Sequence, residues 1–171
     1  LPRRSKFSRK VAGELTEEQI VAANIDTVLL CDALDGHLSL RHLERYLALA
    51  WQSGATPVVL ITKSDAASAA EVAEAIESVK SVADGVSVVV VSATTGDGIS
   101  DLAPYLVPGR TVALLGLSGA GKSTLVNLLA ERVRAGVQAA GLVGFVLGDP
   151  PYAELALGGR TRISLGAIAR G

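Results

Sequence analysis

Four short runs along the chain are apolar without interruption and rich in β-branched residues: 27–31 (TVLLC), 57–62 (PVVLIT), 86–91 (VSVVVV) and 111–115 (TVALL). Continuous rather than alternating apolarity predicts strands covered on both faces, as in a parallel sheet. Between the runs the period changes to that of a helix. Leu40, Leu43, Leu47, Ala50 and Trp51 fall on one stripe behind Ser39, a good N-cap, and Gly54 follows as a stop signal. Residues 69–82 predict a second helix with Val72, Ala75, Ile76 and Val79 on its apolar face, and 122–133 a third. Strands alternating with helices mean an α/β fold with a mainly parallel sheet. From Gly136 the pattern weakens into Gly and Ala, with an apolar stretch at 142–147. A turn is expected at Gly148-Asp149-Pro150-Pro151, and no element is predicted after it.

Composition narrows the class. At 171 residues, 49% of them hydrophobic, the chain can bury one sizeable core with a small appendage and is not a disordered segment. No apolar run reaches the roughly 18 residues that span a bilayer, and the start lacks a signal-peptide core, so a soluble, cytoplasmic protein without a membrane partner is expected. Cys31 is the single cysteine, which excludes an internal disulfide and a Cys-rich zinc knuckle; it reads as a small buried residue on a strand. A net charge of −1 and 4% aromatics argue against nucleic-acid binding by overall charge or by base stacking. Arg3, Arg4, Lys6, Arg9 and Lys10 form a local basic segment without an acid. It reads as a solvated arm or linker, with a strip for nucleic-acid phosphates as the sharper alternative. The sequence holds no methionine, so a fragment, or a chain from which residues are missing, is expected.

Chemistry enters at residues 116–123 (GLSGAGKS), which satisfy G-x-x-x-x-G-K-[ST] at every fixed position, between a predicted strand and a predicted helix. Gly116, Gly119 and Gly121 let backbone N–H groups turn inward around phosphates, and the helix N-terminus adds its positive end. Ala120 lies within the same loop. Lys122 would reach the β- and γ-phosphates, the Ser123 hydroxyl would hold Mg²⁺, and Ser118 and Thr124 would support them. Lys122 and Ser123 are the only residues assigned to catalysis.

The base is read elsewhere. Thr62-Lys63-Ser64-Asp65 stands at the C-terminal end of a predicted strand, where open α/β sheets bind ligands. The Asp65 carboxylate can accept two hydrogen bonds from the ring N–H and amine of guanine, and adenine offers no matching pair. At about 1.5–3 kcal/mol for each bond to a charged group, two are worth roughly two to four decades of discrimination. The Lys63 stem would lie over the base plane. Ser92-Ala93-Thr94-Thr95-Gly96 follows another strand and fits an S-A-x-x-G loop, in which the Ala93 backbone N–H turns toward the guanine carbonyl.

The base readers precede the phosphate loop, the reverse of the usual order in GTPases. A circularly permuted P-loop GTPase fold accounts for this, because domain termini often lie close together. The chain resembles the circularly permuted ribosome-assembly GTPases, within them the small-ribosomal-subunit biogenesis GTPase A family. The resemblance covers about residues 1–135 and is carried by 1–10 (LPRRSKFSRK), 22–26 (AANID), 40–50 (LRHLERYLALA), both base readers and 116–125 (GLSGAGKSTL). It implies GTP hydrolysis stimulated by the small ribosomal subunit late in its maturation and contact with that subunit's rRNA; GTP/GDP and Mg²⁺ are the cofactors expected from the motifs, and a monomer is expected. The resemblance also implies that 1–14 are the exit of an N-terminal OB-type barrel, 15–148 the GTPase domain, and 149–171 a tail left from a zinc module.

The chain departs from that family in places. Members carry Asn more often than Thr at the first base-reader position, although the Thr62 hydroxyl can still tie this loop to the phosphate loop. The family's His-Thr-Thr and D-T-P-G switch segments do not occur, and Asp149-Pro150-Pro151-Tyr152 lacks the Gly that would contact the γ-phosphate. Zinc is expected in the family, but the Cys/His ligands are absent. His37 and His42 both precede the base readers, so neither occupies the position of the family's catalytic His; surface or helix-face roles are expected. Either the switches are missing from this chain, or it is a degenerate member that binds without hydrolysing. An ATP-using P-loop enzyme is the further alternative.

Overall fold

A computed structural model describes residues 5–10, 18–35, 38–107, 109–134, 144–147, 151–157 and 161–167. The central strands are β3 (Thr27–Ala33), β4 (Thr56–Thr62), β5 (Ser87–Val90) and β6 (Val112–Gly116). They lie parallel in the order β5-β4-β3-β6. The apolar runs lie on these strands because both faces of the sheet are covered. Leu29, Cys31, Val58, Leu60 and Leu114 point into one core with Leu125, Val126 and Leu129 of helix α3 (Lys122–Arg134). Val28, Leu30, Val59 and Ile61, on the alternate positions, point into a second core. That core is closed by Leu43, Leu47 and Ala50 of α1 (Leu40–Ser53) and by Ala75 and Val79 of α2 (Ala69–Val82).

The helix ends follow local chemistry, with two corrections. Gly54 closes α1 in the left-handed conformation, at φ 82°. Ser68 and Glu71 form a reciprocal capping box on α2, legible as S-x-x-E. Ser39 precedes α1 but makes no side-chain cap; its hydroxyl bonds His42 Nδ1 at 2.7 Å, and its N–H donates to Asp32 Oδ2 at 3.0 Å. Trp51, expected on the buried stripe, is 59% exposed. It lies roughly 100° around the helix from Ala50, beyond the sector that faces the sheet.

Three further differences concern the ends of the chain. Residues 6–10, read as part of an arm or linker, form β1 (Lys6–Lys10), paired antiparallel with β2 (Glu18–Ala23) in a two-stranded sheet. The buried Ser5 joins this hairpin to the core: its hydroxyl donates to the Ile25 carbonyl at 2.6 Å. At the other end, β7 (Gly144–Leu147) pairs parallel with β6. Where no element was expected, β8 (Pro151–Leu157) and β9 (Thr161–Ala167) extend the same sheet to β5-β4-β3-β6-β7-β9-β8. Ala153, Leu155 and Leu157 on β8 and Thr161, Ile163 and Leu165 on β9 recur at every second position, a strand alternation that the sequence reading missed. Gly158 and Gly159 between them were a usable hairpin signal. The turn expected at 148–151 lies outside the described residues, except for Pro151, which opens β8. Among the described residues no helix is long and apolar enough to cross a membrane.

The contrast between Leu60, fully buried in mid-sheet, and Trp51 is testable by urea unfolding. Leu60→Ala is expected to cost about 2–5 kcal/mol through lost burial and a cavity. Trp51→Ala is expected to stay within about 0.5 kcal/mol.

Candidate nucleotide-binding site

The phosphate loop begins where β6 runs out against β3. A Cβ on Gly116 would stand 2.2 Å from the carbonyl oxygen of Cys31, so only glycine lets the chain leave the sheet here. Gly119 and Gly121 follow at φ 86° and 75°, left-handed conformations that other residues rarely adopt. They turn the loop back so that α3 begins at Lys122, as expected from the motif. The Lys122 side chain is buried, and its ammonium donates to the carbonyls of Gly116 at 2.7 Å and Leu117 at 2.6 Å. A cation is thereby held across the loop by the loop's own backbone. Ser118 and Gly119 at the tip and Ser123 and Thr124 in the first turn of α3 are exposed, while Ala120 is buried. The Ala120 N–H donates to the Leu117 carbonyl at 3.2 Å and closes the turn, and a glycine-rich loop, a lysine and a helix N-terminus together suit an anion. Among the described residues no three His, Cys, Asp or Glu side chains group to hold a metal. A cation beside Ser123 would therefore draw further ligands from phosphate oxygens and water, as Mg²⁺ readily does.

Two more loops arrive at the same edge of the sheet. Thr62 ends β4, and its hydroxyl donates to the Ala120 carbonyl at 2.9 Å, with the Asp32 carbonyl also in reach at 3.2 Å. This is the tie between loops that threonine was expected to make in place of asparagine. Lys63 follows in the left-handed region, at φ 57° and ψ 39°, and its ammonium pairs with the Asp35 carboxylate. Asp65 stands on a single 3₁₀ turn (Ser64–Ala66). Its Oδ1 accepts a hydrogen bond from the Ser92 hydroxyl at 2.5 Å. Ser92 is fully buried, and its oxygen also accepts from the N–H groups of Thr94 at 3.2 Å and Thr95 at 3.0 Å. The hydroxyl thus uses its donor and both lone pairs, holding the second loop in shape while aiming the Asp65 carboxylate. Ala93 sits half-buried inside this turn.

The three loops surround one cavity of about 200 Å³, lined among others by Thr62, Lys63, Asp65, Ala93, Gly121 and Thr124. Residues as far apart in the chain as Asp35 and Leu125 meet here, because β3, β4, β5 and β6 end on the same side of the sheet. Other reactive groups nearby do not enter it. Burial pushes the Cys31 thiol up to about 12, more than the nearby Lys122 ammonium draws it down, so it stays protonated and inert. Burial likewise raises Asp32, against the opposing hydrogen bonds from the N–H groups of Ser39 and Ala33. His42 faces Ser39 and stacks at 6.4 Å on Tyr46 within α1, a helix-face role as expected. His37 lies outside the described residues. Sequence reasoning missed Asp35, for which no motif gives a signal: only the β3–β4 register brings it to Lys63.

Residues 1–141 match the RsgA GTPase family. A small ribosomal subunit biogenesis GTPase RsgA of Opitutus terrae is 52% identical over 134 residues, which are 78% of this chain and 36% of that protein. The protein of the same description from Methanosarcina acetivorans is 47% identical over 135 residues, again 78% and 36%. The chain thus spans little more than a third of the length of these relatives. Among solved structures, YjeQ from Thermotoga maritima superposes with a TM-score of 0.66 at 22% identity, over 98% of this chain and 52% of that one. YloQ, described as a circularly permuted GTPase, gives 0.57 at 18%, over 98% and 57%. The fold is that of a circularly permuted P-loop GTPase.

The hydroxyl tie between loops makes a specific prediction. Thr62→Val keeps the shape but leaves the Ala120 carbonyl without its donor, and is expected to cost about 1–3 kcal/mol in urea unfolding. Thr62→Ser, which keeps the hydroxyl, is expected to cost less.

Proposed function

The chain belongs to the RsgA GTPase family, and we propose that it binds guanine nucleotide in this cavity and hydrolyses GTP to GDP and phosphate, on and stimulated by the small ribosomal subunit. The observation that carries the reading is the convergence of Asp65, Ala93 and the end of the phosphate loop, at Gly121 and Thr124, on one cavity. Asp65 accepts from the guanine N1–H and amine, and the Ala93 N–H donates to the base carbonyl. The amides from Gly116 to Thr124 and the Lys122 ammonium hold the phosphates, with Ser118 at the tip. Mg²⁺, when bound at Ser123, neutralises charge on the phosphates during transfer. The curated relatives are named for small-subunit biogenesis. That supports a role for this chain in small-subunit biogenesis; action late in maturation, rRNA contact and a cytoplasmic monomer complete the proposal.

Binding without hydrolysis is the second reading, favoured by one observation: the family's His-Thr-Thr and D-T-P-G segments do not occur in these residues. An adenine-nucleotide enzyme is disfavoured, because adenine would leave the Asp65 carboxylate without its donors.

The test has two stages. GDP is expected to bind at least about a hundredfold more tightly than ADP, with the preference lost in Asp65→Asn. Equal affinities would overturn the guanine reading. Small ribosomal subunits are then added with GTP, and phosphate release is measured. Acceleration supports the hydrolase, whereas saturable GTP binding with no turnover leaves the non-hydrolysing reading.

A further inference from the structure

Asp35 enters the site from the side of β3, where no base-reading sequence lies. Ala33 pairs in register with Thr62, and the Leu34 N–H donates to the Thr62 carbonyl at 3.0 Å. The next residue on each side, Asp35 and Lys63, therefore meet at the edge of the cavity that both line. Among the described non-glycine residues only Lys63 and Asn24 have positive φ, a conformation an L side chain resists. That backbone fixes where the lysine stem begins, but its several rotatable bonds would still scatter the ammonium. The pair is half-exposed, 35% for Lys63 and 47% for Asp35, so water screens it and it contributes little to folding. Its consequence is for where the side chain stands.

We propose that Asp35 is a positioning residue, anchoring the Lys63 ammonium so that the methylene stem is already in place to cover the face of a purine. The inference rests on the guanine-nucleotide reading above and deepens it. A stem lying on the ring face reads no edge of the base. Asp35 therefore sets affinity for purine nucleotides in general, and the choice among them stays with Asp65.

The test is a double-mutant cycle on the full chain, read with GDP and with inosine diphosphate, which lacks the exocyclic amine. Asp35→Asn is expected to raise both dissociation constants by the same factor, roughly three- to tenfold, mainly through faster release. The increase should vanish in a Lys63→Met background and be largely recovered in Asp35→Glu. The thermal midpoint without nucleotide should not move. Unchanged affinity in Asp35→Asn, effects that add to those of Lys63→Met, or a changed ratio of GDP to inosine diphosphate would each overturn the proposal. So would unfolding of both Asp35 variants, since the pair would then be holding the fold. Failure of the guanine reading is seen separately, as equal GDP and ADP binding by the unmodified chain. The cycle is then read with ADP, and the same outcomes decide it. No binding of any purine nucleotide overturns both.

Discussion

Four parallel strands, β3 to β6, ending together are the constraint on which everything else in this molecule depends. Register places Cys31 beside Gly116 and Ala33 beside Thr62. The contact at Gly116 is so close that a single added carbon would overlap the Cys31 carbonyl. The phosphate loop can therefore leave the sheet only at a glycine. One strand away, the register brings the Thr62 hydroxyl to the carbonyl of Ala120, across the top of β3. Phosphate loop and base reader are thereby tied to each other, and a ligand that needs both finds them already spaced.

The distribution of buried polar groups shows where this arrangement is expensive. The described core is apolar except for a few side chains, and three of them, Thr62, Ser92 and Lys122, stand at the site. None of the described buried side-chain nitrogen or oxygen atoms lacks a hydrogen-bond partner. Satisfied polar groups in a low-dielectric setting hold one geometry strongly, since any alternative leaves a donor or acceptor unmet. Ser92 illustrates this: it locks its own loop and aims Asp65 with one oxygen atom.

Chain order and spatial order are decoupled here, and the sheet explains why that is tolerated. The base loops follow β4 and β5, the phosphate loop follows β6, and β3 lies between them in space. A parallel sheet covered by helices on both faces keeps its core wherever the chain is cut on the surface, provided the same strands pair. The likeness to YjeQ and YloQ over nearly the whole chain, at low identity, reflects that packing.

The sequence by itself determined what depends on neighbouring residues. Runs of Val, Leu and Ile marked the central strands, Gly54 stopped α1, and G-x-x-x-x-G-K-S defined its loop, because each is a local matter of period, φ or backbone access. Thr62 could be read as a tie to the phosphate loop because its motif has a known place. Tertiary structure alone decided the rest. Trp51 faces outward because the sheet covers only a sector of α1. Ser39 bonds His42 instead of capping, with its N–H taken by Asp32. β8 and β9 find each other by an antiparallel register, from Pro151 with Ala167 to Leu157 with Thr161. Asp35 reaches Lys63 across 28 residues. Contacts of that kind are set by strand register, a long-range quantity that no window of neighbouring residues contains.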